Sequence, residues 1–494
     1  MRQIGFDYEK YVLVQSENIR KRIDRFGGKL YLEFGGKLFD DFHASRVLPG
    51  FRPDSKIRML MQMKEEAEII LVISADDIER NKRRGDLGIT YDLDTLRLID
   101  AFRDCGLYVP SVVITRFQGQ KAANAFSQKL ERLGLRVYRH YEIPGYPSDT
   151  ELILSEEGFG KNDYIPTERS LVVVTAPGPG SGKMATCLSQ IWHEHKHGVR
   201  AGYAKFETFP IWDLPLRHPV NLAYEAATAD LSDVNMIDPF HLETYGVMAV
   251  NYNRDVEIFP VLNETLRSIW GESPYHSPTD MGVNLIGSCI KDDDICRRAA
   301  HQEIIRRYYA ARCAARQGLS DGKEARKLEM LMRRSDIHTA SRPVIAAALE
   351  RAADDEEPAV ALELPDGRII TGGTSDLLGS SAACLLNALK ALAGIEKEVQ
   401  LISRAVIEPI QHLKVDHMHN RNPRLHTDET LIALTICAAT DEKAALAVDQ
   451  LDKLKGCEAH ATVIPARVDE TMFQKLGINL TCEPVYQNRK LYHN

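Results

Sequence analysis

Short apolar, β-branched runs alternate with longer segments of helical periodicity over about the first 260 residues. This alternation predicts a parallel sheet with helices on both faces, and therefore an α/β fold. Ligands of such sheets bind beyond the carboxyl ends of the strands, so we expect a site there. The predicted strands are Lys29–Phe34, Glu68–Ile73, Ser111–Thr115, Arg136–Tyr141, Leu171–Thr175 and Arg200–Phe206. The main predicted helices are Tyr8–Arg25, Leu93–Cys105, Ala122–Leu133 and Lys183–His197.

The pattern changes near residue 291, where helical segments follow one another without a strand between them. Acidic residues 354–357 and then Pro358 mark a junction, after which a second α/β unit begins with a hairpin about Pro365-Asp366-Gly367. We therefore predict a domain at 1–290, with a split near residue 170, a helical connector at 291–355 and a smaller domain at 356–494. The strands predicted for the last domain are Ala359–Leu364, Arg368–Thr371, Leu431–Ala438, Ala459–Ile464 and Asn479–Cys482.

Composition changes this picture little. With 494 residues, 44% of them hydrophobic and 27% charged, the chain is long enough for two or three globular cores. A net charge of -8 argues against a general nucleic-acid binder, which needs an excess of cations. No apolar run approaches the roughly 20 residues that span a bilayer, so no membrane segment is expected.

The nine cysteines are scattered, and no two are spaced as Cys-x-x-Cys. This pattern favours reduced structural thiols over disulfides or a cysteine zinc site. Together with a polar amino terminus that lacks the pattern of a signal peptide, it predicts a cytoplasmic protein. The helical surface of the middle third favours a homo-oligomer.

The strongest candidate for chemistry is the glycine-rich segment 176–183, which follows the apolar strand Leu171–Thr175 and opens a helix. Glycines allow backbone amides to approach an anion, and a helix start and a lysine add positive charge. We expect a small phosphorylated molecule to bind here, in the first place ATP or another nucleotide. The residues predicted to bind it are Gly178, Gly180, Ser181, Gly182 and Lys183.

The match to the Walker A pattern is incomplete, because Pro177 stands where a glycine is needed and Met184 where a hydroxyl is needed. The missing hydroxyl weakens the case for bound magnesium most. The alternative interpretation is a tight turn between strand and helix with a surface lysine.

A second motif lies on the same predicted helix. His193-Glu194-x-x-His197 satisfies the spacing of a zinc hydrolase site, and Glu225 is the candidate third ligand. A helical wheel places His195 in the buried stripe and His193 and His197 on the opposite face. Histidines in the last turn of a helix are also explained by the helix dipole alone.

Acidic residues farther along complete the set of predicted catalytic residues. Asp238 and Asp213 join Lys183 as candidates for a base or metal carboxylate. Asp213 closes the segment 205–213, whose aromatic and charged residues suit a ligand pocket. The polar loop from His412 to His426 holds four histidines, but its role stays open.

Four segments resemble an uncharacterised bacterial family of about 500-residue proteins known as a domain of unknown function. They are Phe34-Gly-Gly-Lys-Leu-Phe-Asp-Asp41, Thr175-Ala-Pro-Gly-Pro-Gly-Ser-Gly-Lys-Met-Ala-Thr186, Gly202-Tyr-Ala-Lys-Phe-Glu-Thr-Phe-Pro210 and Asn251-Tyr-Asn-Arg-Asp-Val-Glu257. The resemblance covers nearly the whole chain and implies a Rossmann-like front and a tail that resembles the cytidine deaminase fold. It implies no activity, although some members carry automatic labels as ATP-dependent proteins. The zinc signatures of deaminases are absent from the tail, so deamination is not inferred.

These observations favour an enzyme that transfers a phosphoryl group or uses ATP on a small molecule. A zinc hydrolase built on His193, Glu194 and His197 is the second hypothesis, and a non-catalytic metabolite-binding or assembly protein is the third.

Overall fold

The computed structural model describes residues 4–36, 38–39, 41–84, 88–229 and 233–487. The chain forms two compact units. The N-terminal unit contains Ile4–Glu225 and Leu231–Ala299, and the C-terminal unit contains Ala300–Asn494 with the short segment Ala226–Asp230. In the described part of the chain, no helix combines the length and apolar character needed to cross a bilayer.

A parallel sheet forms the centre of the N-terminal unit, with the strand order β4-β3-β2-β5-β1-β6. Successive residues of a strand point to opposite faces, and β1, β2 and β5 are buried at every position, so helices cover both faces. The predicted α/β class with a parallel sheet is therefore confirmed. The strands are β1 (Leu30–Phe34), β2 (Ala67–Ser74), β3 (Tyr108–Thr115), β4 (Arg136–Arg139), β5 (Leu171–Thr175) and β6 (Gly202–Phe206).

The helices around this sheet begin and end close to the predicted positions where the sequence is strongly periodic; Tyr8–Arg25 matches at both ends. A short antiparallel pair, β7 (Asn235–Ile237) and β8 (Val250–Tyr252), follows the main sheet. The helices are α1 (Tyr8–Arg25), α2 (Phe42–Val47), α3 (Ser55–Gln62), α4 (Ala75–Glu79), α5 (Tyr91–Asp104), α6 (Lys121–Arg132), α7 (Thr150–Ile153), α8 (Lys183–Lys196), α9 (Pro219–Ala227), α10 (Pro239–Tyr245), α11 (Asn253–Trp270) and α12 (Pro278–Met281).

The predicted burial of α8 is wrong for several of its polar residues. His195, predicted in the buried stripe, is exposed, whereas His193, predicted on the opposite face, is buried; Gln190 and Thr186 are buried as well. Every residue from Thr186 to Glu194 is buried, so the helix is enclosed on all sides along its middle. Polar residues tolerate this burial only where they have partners: the Gln190 amide oxygen, for example, accepts the Ile165 amide proton at 2.8 Å.

The C-terminal unit contains a four-stranded sheet with the order β10-β9-β11-β12, in which only the β11–β12 pair is parallel. The predicted hairpin is confirmed, because β9 and β10 pair antiparallel about Gly367. The strands are β9 (Ala359–Glu363), β10 (Ile369–Gly373), β11 (Glu458–Ala461) and β12 (Asn479–Cys482). The helices are α13 (Asp293–Arg316, which enters the unit at residue 300), α14 (Lys323–Arg334), α15 (Pro343–Asp355), α16 (Ser380–Ala393), α17 (Arg404–His412), α18 (Thr427–Ala438), α19 (Glu442–Val448) and α20 (Arg467–Lys475).

Helices α15 and α16 pack on opposite faces of this sheet. A Cβ at Gly372 would lie 2.1 Å from the Cys384 backbone of α16, whereas one at Gly373 would lie 2.2 Å from the Asp355 carboxylate of α15. Adjacent residues of a strand point to opposite faces, so the two glycines allow two helices to approach one strand closely from both sides.

The predicted strand Leu431–Ala438 is wrong, because these residues belong to α18. Ala433 and Leu434 are buried, but Ile432 and Ile436 are 62% and 64% exposed. An apolar run without alternation fits a buried strand and a helix equally well, and the stop signals at its ends do not separate the two. The Glu429 carboxylate, which accepts the His426 amide proton at 2.8 Å, fixes the start of the helix.

One fully buried cation connects the start of α15 to the neighbouring strands β11 and β12. The Arg342 side chain is 0% exposed, forms an ion pair with Glu458, and donates to the carbonyl oxygens of Ala459 at 2.8 Å and Asn479 at 2.7 Å. Burial lowers the pKa of Arg342 despite the Glu458 carboxylate, whereas Arg306 and Arg342 overcome the effect of burial and lower the pKa of Glu458. Each buried charge is therefore matched by a partner.

Arg342→Ala removes this cation from the Glu458 carboxylate and takes one donor away from each of two carbonyl groups, although the Ala459 oxygen keeps its bond from the Thr481 hydroxyl at 3.1 Å. We expect the free energy of unfolding of the C-terminal unit to fall by about 3–5 kcal/mol. Urea unfolding of the full chain, followed by amide hydrogen exchange at β11 and β12, measures the loss. The control is Arg333→Ala on α14, whose exposed pair with Glu329 contributes about 1 kcal/mol or less. A loss for Arg342→Ala no larger than that of the control would contradict this account.

Candidate functional site

The strand order of the N-terminal sheet changes direction at its centre, between β2 and β5. Strands β2 and β5 are neighbours, but β2 continues to β3 on one side and β5 continues to β6 on the other. Connections that leave in opposite directions open a crevice at the carboxyl ends of the two strands, where open α/β sheets bind ligands. The glycine-rich segment 176–182 follows β5 directly and borders this crevice.

This loop needs glycine for its backbone conformation at Gly180 (φ +73°) and Gly182, and for close packing at Gly178. Gly182 ends it with φ +90°, a conformation that side chains rarely adopt, and is the N-cap of α8. Gly178 has an ordinary φ, but a Cβ there would lie 2.3 Å from the Tyr91 hydroxyl at the start of α5. Gly178 therefore allows close packing against α5, and Gly182 turns the chain into α8.

Two hydroxyl groups hold the loop in this shape. Thr115, the last residue of β3, donates through Oγ1 to the Ser181 carbonyl oxygen at 2.7 Å. Ser181 in turn donates through Oγ to the Gly178 carbonyl oxygen at 2.8 Å. The Ser181 hydroxyl is thus bonded within the loop. If Ser181 binds a ligand as predicted, its backbone amide makes the contact.

The amides at the start of α8 are available to a ligand. The Thr186 amide, which donates to the Gly182 carbonyl at 2.9 Å, is the first to join the helical ladder. Within the described ranges, the amides of Gly180, Gly182 and Lys183 donate to no acceptor. Such amides, with the positive end of the helix dipole, form an anion site.

Lys183 adds a cation to these amides. It is partly exposed, and within the described part of the chain its ammonium has no carboxylate partner. Burial raises the pKa of the Cys187 thiol one turn along α8; the Glu33 carboxylate raises it further and the Lys183 ammonium opposes this. Both charges therefore lie close enough to act on the same thiol.

Glu33 belongs to a cluster of buried and partly buried charges on the α8 side of the sheet. Lys205 of β6 lies with its Nζ 2.7 Å from both Asp255 oxygens and 3.2 Å from Glu207 Oε1. Glu33 accepts the Tyr203 hydroxyl proton at 2.7 Å. Three carboxylates therefore surround one ammonium. We call Glu33, Lys205, Glu207 and Asp255 the carboxylate cluster.

The excess of carboxylates in this cluster affects the pKa of Glu207 and of Lys205. Burial raises the pKa of Glu207 to about 7, with Asp255 and Glu33 adding to the rise and Lys205 opposing it. Burial alone would lower the pKa of Lys205, but the neighbouring carboxylates raise it above its ordinary value. The Glu207 side chain still keeps 32% of its surface exposed, so its proton can exchange with a ligand or with water.

Glu207 lies at the same edge of the sheet as the glycine-rich loop. It follows β6 directly, and β6 is separated from β5 by the single strand β1. With neighbouring strands 4.7–4.9 Å apart, the ends of β5 and β6 are about 10 Å apart. One small molecule can therefore span the loop and the carboxylate.

The predicted carboxylates Asp238 and Asp213 lie elsewhere. Asp238 caps α10: its Oδ1 accepts the Phe240 and His241 amides, and its Oδ2 accepts the Thr279 hydroxyl at 2.6 Å. Asp213 packs against Gly287, and burial raises its pKa. The contacts described for these two carboxylates do not include the glycine-rich loop.

The structure does not bring the His193-Glu194-x-x-His197 residues together as metal ligands. His193 Nε2 lies 2.9 Å from the Asn162 carbonyl oxygen, and His197 stacks on Tyr164. On the sheet side of the helix, the Glu194 carboxylate accepts a hydrogen bond from Lys29 Nζ at 2.5 Å. Among the described residues, no group of three potential ligands, Glu225 included, is placed to hold a metal ion.

The sequence pattern did not predict the carboxylate cluster as a unit, although segment 205–213 was predicted to suit a pocket. Lys205 and Glu207 are two residues apart on and after a strand, which places both on one face and was a usable signal. Glu33 and Asp255 come from β1 and α11, and nothing in the local sequence links them to Glu207.

Comparison with known proteins places the chain in a family. The N-terminal model of the domain of unknown function DUF1846 matches residues 4–336, and its C-terminal model matches residues 340–492. A UPF0371 protein of Corynebacterium urealyticum is 58% identical over 490 residues, 99% of each chain. A UPF0371 protein of Streptococcus thermophilus is 56% identical over 492 residues, 100% of each chain. These matches confirm the resemblance seen in the sequence: the chain belongs to the DUF1846 family, and the relatives compared are bacterial.

Proposed function

We propose that this protein is an enzyme that binds a phosphorylated small molecule at Gly178–Lys183 and carries out a proton transfer through Glu207. The observation that supports it most is that the amides of Gly180, Gly182 and Lys183 have no acceptor among the described residues. They lie beside the point where the strand order of the sheet changes direction. Amides already oriented toward an anion stabilise it without reorganisation.

The proposed roles follow from position. The Gly180 and Gly182 amides hold phosphate oxygens, and Lys183 neutralises their charge. Glu207, about 10 Å away by strand spacing, reaches the part of the ligand remote from the phosphate. A carboxyl with a pKa of about 7 is present in both protonation states near neutral pH, which suits general acid or base catalysis.

ATP or another nucleotide is the first ligand to test. In a phosphoryl transfer, Glu207 would accept the proton of the acceptor hydroxyl while Lys183 neutralises charge on the transferred group. Magnesium bound in the Walker A manner does not fit, because Met184 offers no oxygen and the Thr186 hydroxyl is buried. We therefore derive no step through a metal.

Lys183→Ala tests the phosphate loop. A thermal-shift panel of ATP, other nucleotides and sugar phosphates, with and without magnesium, first selects the ligand, because a bound ligand stabilises the folded chain. In calorimetry the variant should then bind that ligand at least tenfold more weakly, a loss of about 1.4 kcal/mol or more. Lys183 is partly exposed, so we expect the fold to remain intact.

The matched control is Lys196→Ala, which removes an exposed lysine from the other end of the same helix. It should bind like the wild type. Equal dissociation constants for the wild type and Lys183→Ala would remove this proposal.

Glu207→Gln tests the proton site without a substrate. The pKa of Glu207 is raised in the folded state, so folded protein binds its proton more tightly than unfolded protein does. The stabilisation due to the carboxyl is fully present below its ordinary pKa of 4.5 and is lost as the pH rises through about 7. Relative to Glu207→Gln, the wild type should therefore lose free energy of unfolding between these two values.

Urea unfolding at pH 5, 6, 7 and 8 measures this difference. The control is Glu257→Gln on the exposed face of α11, which makes the same change of charge in the same unit. It should show no such pH-dependent difference from the wild type. A flat difference for Glu207→Gln would show that the carboxyl titrates normally.

A further inference from the structure

The C-terminal unit contains a cavity of about 440 Å³ that is separate from the carboxylate cluster and the glycine-rich loop. Its walls come from the start of α16, the loop that precedes α18 and the start of α20. The His412–His426 segment, whose role the sequence left open, supplies much of one wall. Charged and hydroxyl side chains that line it include Ser381, Lys414, Arg421, Arg424, His426 and Asp469.

Two helices begin at this cavity without a side-chain cap. The first bond of the α16 ladder joins the Ala383 amide to the Gly379 carbonyl oxygen, and that of α20 joins Glu470 to Ala466. Among the residues that the structure covers, the Ser380 and Ser381 amides have no acceptor. Helix α16 has 14 residues, so its dipole at this end is fully developed.

Ser381 gives a second, independent indication of a ligand. It is only 5% exposed, yet its hydroxyl forms no hydrogen bond with the described residues. It lines the cavity, and its oxygen is not among the polar atoms closed off from solvent. A nearly buried hydroxyl facing an open space at a helix start is placed to donate to a bound anion.

Arginine side chains make the cavity electropositive. Arg421 is exposed, and its guanidinium has no ion pair within the described residues. Arg424 donates through Nε to the Ser375 carbonyl oxygen at 2.7 Å, which orients its remaining donors. His419 also lines the cavity.

The acidic groups nearby are already compensated. Asp469 accepts the Thr427 amide and hydroxyl, both at 2.9 Å, and lies 3.0 Å from His426 Nδ1. The hydrogen bond to Asp469 raises the pKa of His426. Glu429, behind this wall, pairs with the buried Lys414 at 2.7 Å. Each acid has a cationic or donor partner, so the cavity keeps an excess of positive charge.

We propose that this cavity is a second anion site, which binds the phosphate group of a small molecule through the α16 amides, the Ser381 hydroxyl and Arg421. Its volume exceeds that of a phosphate ion, so it accommodates the attached organic part as well. The site is independent of Gly178–Lys183 and does not require the function proposed for that loop.

The test titrates inorganic phosphate into the full-length chain carrying Lys183→Ala, which removes the main cation of the other site. Calorimetry at low salt should show saturable binding that weakens as salt is added. Adding Ser381→Asp should weaken it at least tenfold, because a carboxylate then occupies the anion position. The melting temperature of the chain with Ser381→Asp should not fall, since a negative charge at a helix start is favourable.

Arg421→Ala is the second variant and should weaken phosphate binding severalfold. Arg404→Ala, an exposed arginine of α17 outside the cavity, is the control and should change nothing. Absence of saturable binding in the Lys183→Ala chain, or equal affinity in the chains with and without Ser381→Asp, would overturn the second site. Neither result would bear on the loop at Gly178–Lys183, which its own variant tests.

Discussion

The position of α8 against the parallel sheet is the constraint on which the N-terminal site depends. At its start, the Thr115 hydroxyl holds the Ser181 carbonyl oxygen; near its end, the buried Glu194 carboxylate accepts protons from Lys29 and Tyr31 at the beginning of β1. Releasing a buried carboxylate from its partners would be strongly unfavourable. Fixed at both ends, the helix keeps Lys183 and the amides of Gly180 and Gly182 at the carboxyl edge of the sheet.

The two units treat buried charge in different ways. In the C-terminal unit, Glu458 is matched by both Arg306 and Arg342, and its pKa is lowered. In the N-terminal unit, three carboxylates share Lys205, and the pKa of Glu207 is raised. The first arrangement favours a fixed charge and therefore stability. The second raises the proton affinity of the Glu207 carboxyl, so that it gains and loses a proton near neutral pH, which is what an acid–base catalyst needs.

How much the sequence predicted depended on whether the signal was local. Strand β5 was predicted at its exact bounds in the chain, because a strand buried on both faces gives a continuous apolar run. The pairing of β2 with β5 leaves no local signal, and neither does the link between Glu207 and Asp255. Residues 431–438 were assigned to a strand, because their apolar run lacks the alternation that separates strand from helix.

The sheet topologies also bear on the order in which the chain folds during synthesis. Every strand of the larger sheet is available once Phe206 has emerged from the ribosome, so that sheet can assemble early in synthesis. In the smaller sheet, β9 pairs with β11, whose first residue, Glu458, emerges almost a hundred positions later. Until then one edge of β9 has no partner, and its open backbone groups are a site for aggregation. Translation that slows between these strands would prolong that exposure.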